Sequence, residues 1–236
     1  MKRIFTIFFV VLALTGVSPA WAVQSTIRVV VYGDSLTSGY LLQPEQAFPA
    51  KLYRKLRENG FTNVEVTNMS QPGETTAGGL ARISSVLELH PDIVVLQLGY
   101  NDAIRGIRVE TINSNLGSIM SQLTANQIIM VLVGVRAPAS MSYEYAGQLE
   151  NMYRSLANAN KAYLYPDALD TIYGRQEMNL ADGFHPNARG VETMVEYIYP
   201  LVDAVVRWKA QTLQAQQQYE EQMQMQMQER QSTEGR

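Results

Sequence analysis

The sequence predicts an α/β protein: a three-layer α/β/α sandwich on a parallel five-stranded sheet, flavodoxin-like in plan. Strand-like runs recur along the chain with helical patterns between them. Two of these runs, "DIVVLQLG" (Asp92–Gly99) and "IIMVLVG" (Ile128–Gly134), are nearly continuous in apolar residues, as strands covered on both faces require. Strands alternating with helices imply right-handed crossovers, hence a parallel sheet with helices on both sides.

In chain order, the first 22 residues read as a secretory signal. Lys2 and Arg3 form its basic start, Ile4 to Leu14 its apolar centre, and Ala20-Trp21-Ala22 a small-x-small cleavage site. A retained membrane anchor is the rival reading, but the apolar run falls short of the about 20 residues that span a bilayer. Cleavage after Ala22 is therefore expected, leaving no stable membrane anchor. The domain occupies residues 23–209. Ile27–Tyr32 is its first strand, and Phe48, Leu52 and Leu56 then mark one face of a helix. "NVEVTN" (Asn63–Asn68) is the second strand, the two apolar runs above are the third and fourth, and "KAYLYP" (Lys161–Pro166) is a weaker fifth. Val191, Val195, Ile198, Val202 and Val205 line a final helix, with Pro186 near its start. Residues 210–236 form a Gln/Met-rich tail, with ten glutamines between Gln211 and Arg236. So little of it can be buried that disorder, or a frayed continuation of the last helix, is expected.

Composition narrows the function classes. Hydrophobic residues make up 46% of the chain and charged residues 17%, enough for one sizeable core. The net charge of -3 provides no basic footprint for nucleic acid. The absence of cysteine removes disulfides, thiolate metal sites and a cysteine nucleophile together. An exported, cysteine-free chain fits a bacterial periplasm, with release to the medium still open. Met223, Met225 and Met227 could offer thioethers to Cu(I), but Met alternating with Gln is a thin basis for a metal site, and none is expected.

Ligands of a parallel α/β sheet bind beyond the carboxyl ends of its strands, so the segments following the strands carry the chemistry. Gly33-Asp34-Ser35 follows the first strand, and "NMSQPGETT", with Gly73 in a turn, follows the second. "GYND" (Gly99–Asp102) follows the third, and "DGFHPN", with Asp182 and His185 three apart, precedes the final helix. Singly, each has a bland reading. Gly-Asp-Ser is ordinary helix-cap sequence, Gly73 a turn glycine, Asn101 and Asp102 a polar turn, and His185 a loop histidine. Together they fall on one edge. A serine hydroxyl needs a base to become a nucleophile, and the chain has two histidines. His90 belongs at the amino end of the sheet, as a helix C-terminal residue. His185 shares the edge with Ser35, and Asp182 can fix its tautomer through Nδ1. The Ser35 N–H, a backbone approach at Gly73 and the Asn101 amide could stabilise an oxyanion.

"GDSL" (Gly33–Leu36), Gly73, "GYND" and "DGFHP" (Asp182–Pro186) resemble the SGNH, or GDSL-type, hydrolase superfamily. Within it the chain is most similar to the bacterial periplasmic thioesterase I/lysophospholipase L1 and arylesterase branch. "GETTAGGLAR" and "GVRAP" support the resemblance, which spans roughly Ile27 to Trp208. It implies Ser35 as nucleophile, His185 as base and Asp182 as its orienter. The implied oxyanion donors are Ser35, Gly73 and Asn101, and no cofactor is implied. Tyr100 stands where this branch commonly has glycine, and "PASMSYEYAG" (Pro138–Gly147) departs from its usual loop, so acyl-chain preference does not transfer. The Gly-x-Ser-x-Gly elbow of α/β-hydrolases is absent around Ser35.

The expected activity is serine hydrolysis of small-molecule carboxylic esters or thioesters. Two rivals remain: an O-acetyl esterase acting on envelope polysaccharide, and a binding or scaffold protein that keeps the fold. The first lacks any recognisable carbohydrate module, and the second is disfavoured by the intact Ser, Gly, Asn, Asp and His positions. A partner for the tail is not specified by its sequence.

Overall fold

Branched and apolar runs become the five strands of one sheet in the computed structural model, which describes residues 25–234. The signal expected over residues 1–22 lies outside the described residues. The strands are β1 (Ile27–Gly33), β2 (Val64–Asn68), β3 (Ile93–Gln97), β4 (Ile129–Val133) and β5 (Tyr163–Tyr165). All pair in parallel, in the order β2-β1-β3-β4-β5. Val29 of β1 lies opposite Val66 of β2 and Ile93 of β3, so β1 is covered along both edges. The chain leaves β1 for β2 on one side and returns to β3 on the other. The order therefore reverses between β1 and β3, the switch point at whose carboxyl side sheets of this kind bind ligands.

The helices are α1 (Ser35–Ser38), α2 (Phe48–Glu58), α3 (Thr76–Ala81), α4 (Ile83–Leu87), α5 (Tyr100–Ile104), α6 (Val109–Ala125), α7 (Tyr143–Ala159) and α8 (Ala188–Glu234). α2 packs against α8, and α6 packs against α3 and α7. Phe48, Leu52 and Leu56 are fully buried, as are Val202 and the remaining valines and isoleucine of the final helix face. Burying each such side chain contributes about 1.5–3 kcal/mol. Lys51–Glu192 and Lys55–Glu196 ion pairs tie α2 to α8 across their solvent side. Asn187 caps α8, its Oδ1 accepting from Arg189 N at 2.9 Å and Gly190 N at 3.0 Å.

The structure differs from the sequence expectation in two places. β3 ends at Gln97 rather than Gly99, because Leu98 O is taken by the Tyr153 hydroxyl at 2.7 Å and Gly99 turns to φ +124°. His90 is not within the last turn of a helix. α4 ends at Leu87, and His90 follows in an exposed turn at φ +47°, its N–H donating to Leu87 O at 2.9 Å. Of the two forms expected for the tail, disorder or a continuation of the last helix, the structure has the helix, with α8 running on to Glu234. Residues 201–234 contain neither glycine nor proline, and Gln, Met, Glu and Ala are good helix formers. Ala210 and Leu213 still pack against the core, while Tyr219, Met223, Met225 and Met227 stand exposed.

Candidate active site

At the carboxyl end of β1 the backbone passes close to β3, and a Cβ at Gly33 would lie 2.7 Å from Gln97 O. Only glycine fits there. Asp34 then caps α1, its Oδ1 accepting from Leu36 N at 2.9 Å, so the next residue, Ser35, opens the helix. Asp34 itself is fully buried, with Oδ2 accepting from Gln97 Nε2 at 3.2 Å. Burial pushes its carboxyl up to about 7, although the Leu36 N–H and the Gln97 amide pull the other way.

His185 arrives from the irregular segment between β5 and α8. Its Nε2 lies 3.0 Å from Ser35 Oγ, and its Nδ1 lies 2.7 Å from Asp182 Oδ2. Asp182 Oδ1 also accepts from Phe184 N and His185 N, both at 2.9 Å, so the carboxylate folds the turn that presents the imidazole. Slight burial raises the Asp182 carboxyl, but the Phe184 N–H and the His185 ring together hold it below the usual carboxylate value. An ionised carboxylate only accepts, so Nδ1 carries the ring proton and Nε2 accepts from the serine hydroxyl. This order of groups can transfer the serine proton to a base and hold the resulting imidazolium.

Gly73 turns at φ +77°, with open space where a Cβ would stand. Its carbonyl accepts from Arg105 Nη2 at 3.2 Å, and its N–H donates to no acceptor among the described residues. Asn101 Nδ2 donates to Glu74 O at 2.9 Å, which ties the second-strand loop to the third and leaves one amide proton uncommitted to it. Asp102, read in the sequence as a polar turn residue, is buried and clamps the same loop. Its carboxylate accepts from Thr76 N at 2.8 Å and Thr76 Oγ1 at 2.6 Å, fixing the start of α3.

All five sequence-predicted residues thus lie on the carboxyl edge, where Ser35, Asp182 and His185 form one hydrogen-bonded chain. Of the aromatic residues around them, the sequence singled out Tyr100, but Tyr40 and Phe184 were missed. The Tyr40 ring lies 4.6 Å from the His185 ring, and Phe184 meets that ring edge-on at 5.0 Å. Tyr100 stacks on Phe184 at 4.4 Å and 13°. The only signal for Phe184 was its position next to His185. A cavity of about 430 Å³ lies elsewhere, between the Gly60–Asn63 turn and the α8 extension, and no histidine lines it. Among the described residues no group of three or more His, Asp or Glu is placed to hold a metal ion, and no helix is long and apolar enough to cross a membrane.

Residues 31–192 match the GDSL-like Lipase/Acylhydrolase family. The chain belongs to that family. As a GDSL-type acylhydrolase it is a serine ester or thioester hydrolase. It is 33% identical over 178 residues to an arylesterase of Vibrio mimicus, covering 75% of this chain and 88% of that protein. A second relative is the thioesterase 1/protease 1/lysophospholipase L1 of Escherichia coli K12, 29% identical over 180 residues, or 74% of this chain and 85% of the relative. Among solved structures, the psychrotrophic esterase EstA of Pseudoalteromonas sp., inhibited by monoethylphosphonate, superimposes with a TM-score of 0.70. That alignment is 25% identical and covers 77% of this chain and 97% of the esterase.

Proposed function

We propose that this GDSL-type hydrolase cleaves carboxylic esters or thioesters of small or acyl-chain substrates through an acyl-enzyme formed on Ser35. The observation that carries the assignment is the chain Ser35 Oγ–His185 Nε2–Nδ1–Asp182 Oδ2, with contacts of 3.0 and 2.7 Å. Ser35 Oγ attacks the acyl carbon while His185 Nε2 takes its proton, and Asp182 steadies the imidazolium. The Ser35 N–H, the Gly73 N–H and the Asn101 amide receive the oxyanion. His185 then protonates the departing alcohol or thiol. Water enters, gives its proton to His185, and attacks the acyl-enzyme. Collapse of the second intermediate releases the acid and restores the Ser35 hydroxyl.

The names of the relatives, an arylesterase and a thioesterase 1/lysophospholipase L1, support both ester and thioester substrates. The N-terminal Lys2-Arg3, apolar centre and Ala20-Trp21-Ala22 site support export to the periplasm with the mature chain starting at Val23.

One mass-spectrometric experiment addresses both parts. Protein recovered from the envelope fraction is treated with an ethyl phosphonate and weighed intact. The expected result is a chain starting at Val23 that carries one phosphonyl group, with no labelling in Ser35→Ala. A folded chain that does not react would support the scaffold reading instead, and an intact Met1 would contradict cleavage of the signal.

A further inference from the structure

His185 and Asn101 reach the site on separate loops, and neither loop is held to the other by the sheet. Asn101 is the second residue of α5, which Leu98 and Gly99 separate from the end of β3. His185 lies in the long irregular stretch between β5 and α8, closed on itself by Leu180 N–His185 O at 2.7 Å and Gly183 N–Leu180 O at 2.9 Å. The residue before each of them is aromatic. Tyr100 and Phe184 stack in parallel, with centroids 4.4 Å apart and planes at 13°, and Phe184 also meets the His185 ring edge-on at 5.0 Å. Tyr100 is buried, and Phe184 packs against the core. The backbone of both residues is fixed at the same time. Gly99 turns at φ +124° to start α5, and the Asp182 carboxylate accepts from Phe184 N at 2.9 Å.

On the reading of Ser35 and His185 given above, we propose that the Tyr100–Phe184 stack is a staple: two positioning residues that fix the oxyanion donor Asn101 relative to the base His185. The staple gives neither ring a proton-transfer step. Their effect is on distance. Efficient attack needs the base and the oxyanion donors in register with one tetrahedral centre, and a displacement of about 1 Å can cost 10²-fold in rate. A staple of this kind acts mainly on kcat. It also acts as a unit, so either ring without the other does nothing.

The test is a double-mutant cycle read with an aryl acetate, whose acyl group is too short to probe a pocket wall. Tyr100→Leu, Phe184→Leu, the double variant and Tyr100→Phe are compared by kcat and KM, with folding checked by circular dichroism. Each leucine variant is expected to lose about 10-fold or more in kcat, with KM within about 2-fold. The double variant should be no slower than the slower single one, since coupled residues are non-additive. Tyr100→Phe, which keeps the stack, should stay within about 2-fold of the parent. Multiplying losses, an unchanged kcat in the leucine variants, or an effect confined to KM would each overturn the staple. His185→Ala serves as the control. If it is inactive while the leucine variants are unaffected, the staple alone fails. If it remains active, the assignment of the base fails with it.

Discussion

In the proposed mechanism one side chain, Asn101, serves both structure and chemistry. One amide proton holds Glu74 O at 2.9 Å, keeping the Gly73 turn against the start of α5, and on the proposed mechanism the amide also donates to the oxyanion. Charge develops on that oxygen mainly in the transition state. Asn101→Ala should therefore lower kcat by about 10²–10³ with KM little changed. Asn101→Asp should be at least as damaging, because a carboxylate would face the developing negative charge. Steady-state kinetics on the folded variants check this. Wild-type kcat accompanied by a lowered melting temperature would reduce Asn101 to a turn residue. Asp34 makes a different prediction. Its folded-state carboxyl is raised from 3.8 to about 7, so the folded protein holds a proton there that the unfolded chain has lost. The associated stability is complete below about pH 4 and is lost as pH rises towards about 7. Asp34→Asn keeps an acceptor for Leu36 N but cannot ionise. Its stability relative to the parent, measured by urea unfolding, should improve between pH 4 and pH 8. A difference that stays constant with pH would contradict the raised carboxyl.

At the scale of elements, α8 combines a packed half with a free half. Val191 to Val205 close the core, Ala210 and Leu213 extend that packing, and the face beyond is exposed. Lys209 also reaches Asp92 at 2.8 Å, pinning the helix near the amino end of β3. Ending the chain after Gln218 should leave melting temperature and turnover near those of the parent. Ending it after Lys209 also removes Leu213, a loss of about 1 kcal/mol, or about 2–4 °C in a domain of this size. Thermal melts and ester kinetics of the two truncations check this, and collapse of the longer one would show that the exposed half supports the domain. The regular elements were legible because their periodicities are strong. Continuous apolar runs became β3 and β4, and the fourfold spacing of Phe48, Leu52 and Leu56 became a buried helix face. The tail was less legible, since a polar composition is compatible with both disorder and a solvated helix. The placement of Ser35, Gly73, Asn101, Asp182 and His185 on one edge was readable because each lies beside a strand end or turn signal. The Asp34–Gln97 pair and the Tyr100–Phe184 stack were not. Their partners lie far apart in the chain, and only the tertiary fold brings them together.

The whole molecule sorts its two histidines onto opposite edges of one sheet. Reversal of strand order at β1 and β3 puts Ser35 and Asn101 beyond adjacent carboxyl ends of the sheet, and the return from β5 to α8 brings His185 to the same edge. His90 precedes β3 and therefore lies at the amino edge. The central claim is that this topology, rather than the mere presence of a histidine, creates the base. Measuring kcat/KM for His185→Ala and His90→Ala, each confirmed folded, tests it directly. His185→Ala should reduce ester turnover to background, and His90→Ala should retain the activity of the parent. Comparable losses in the two folded variants, or an active His185→Ala, would contradict it.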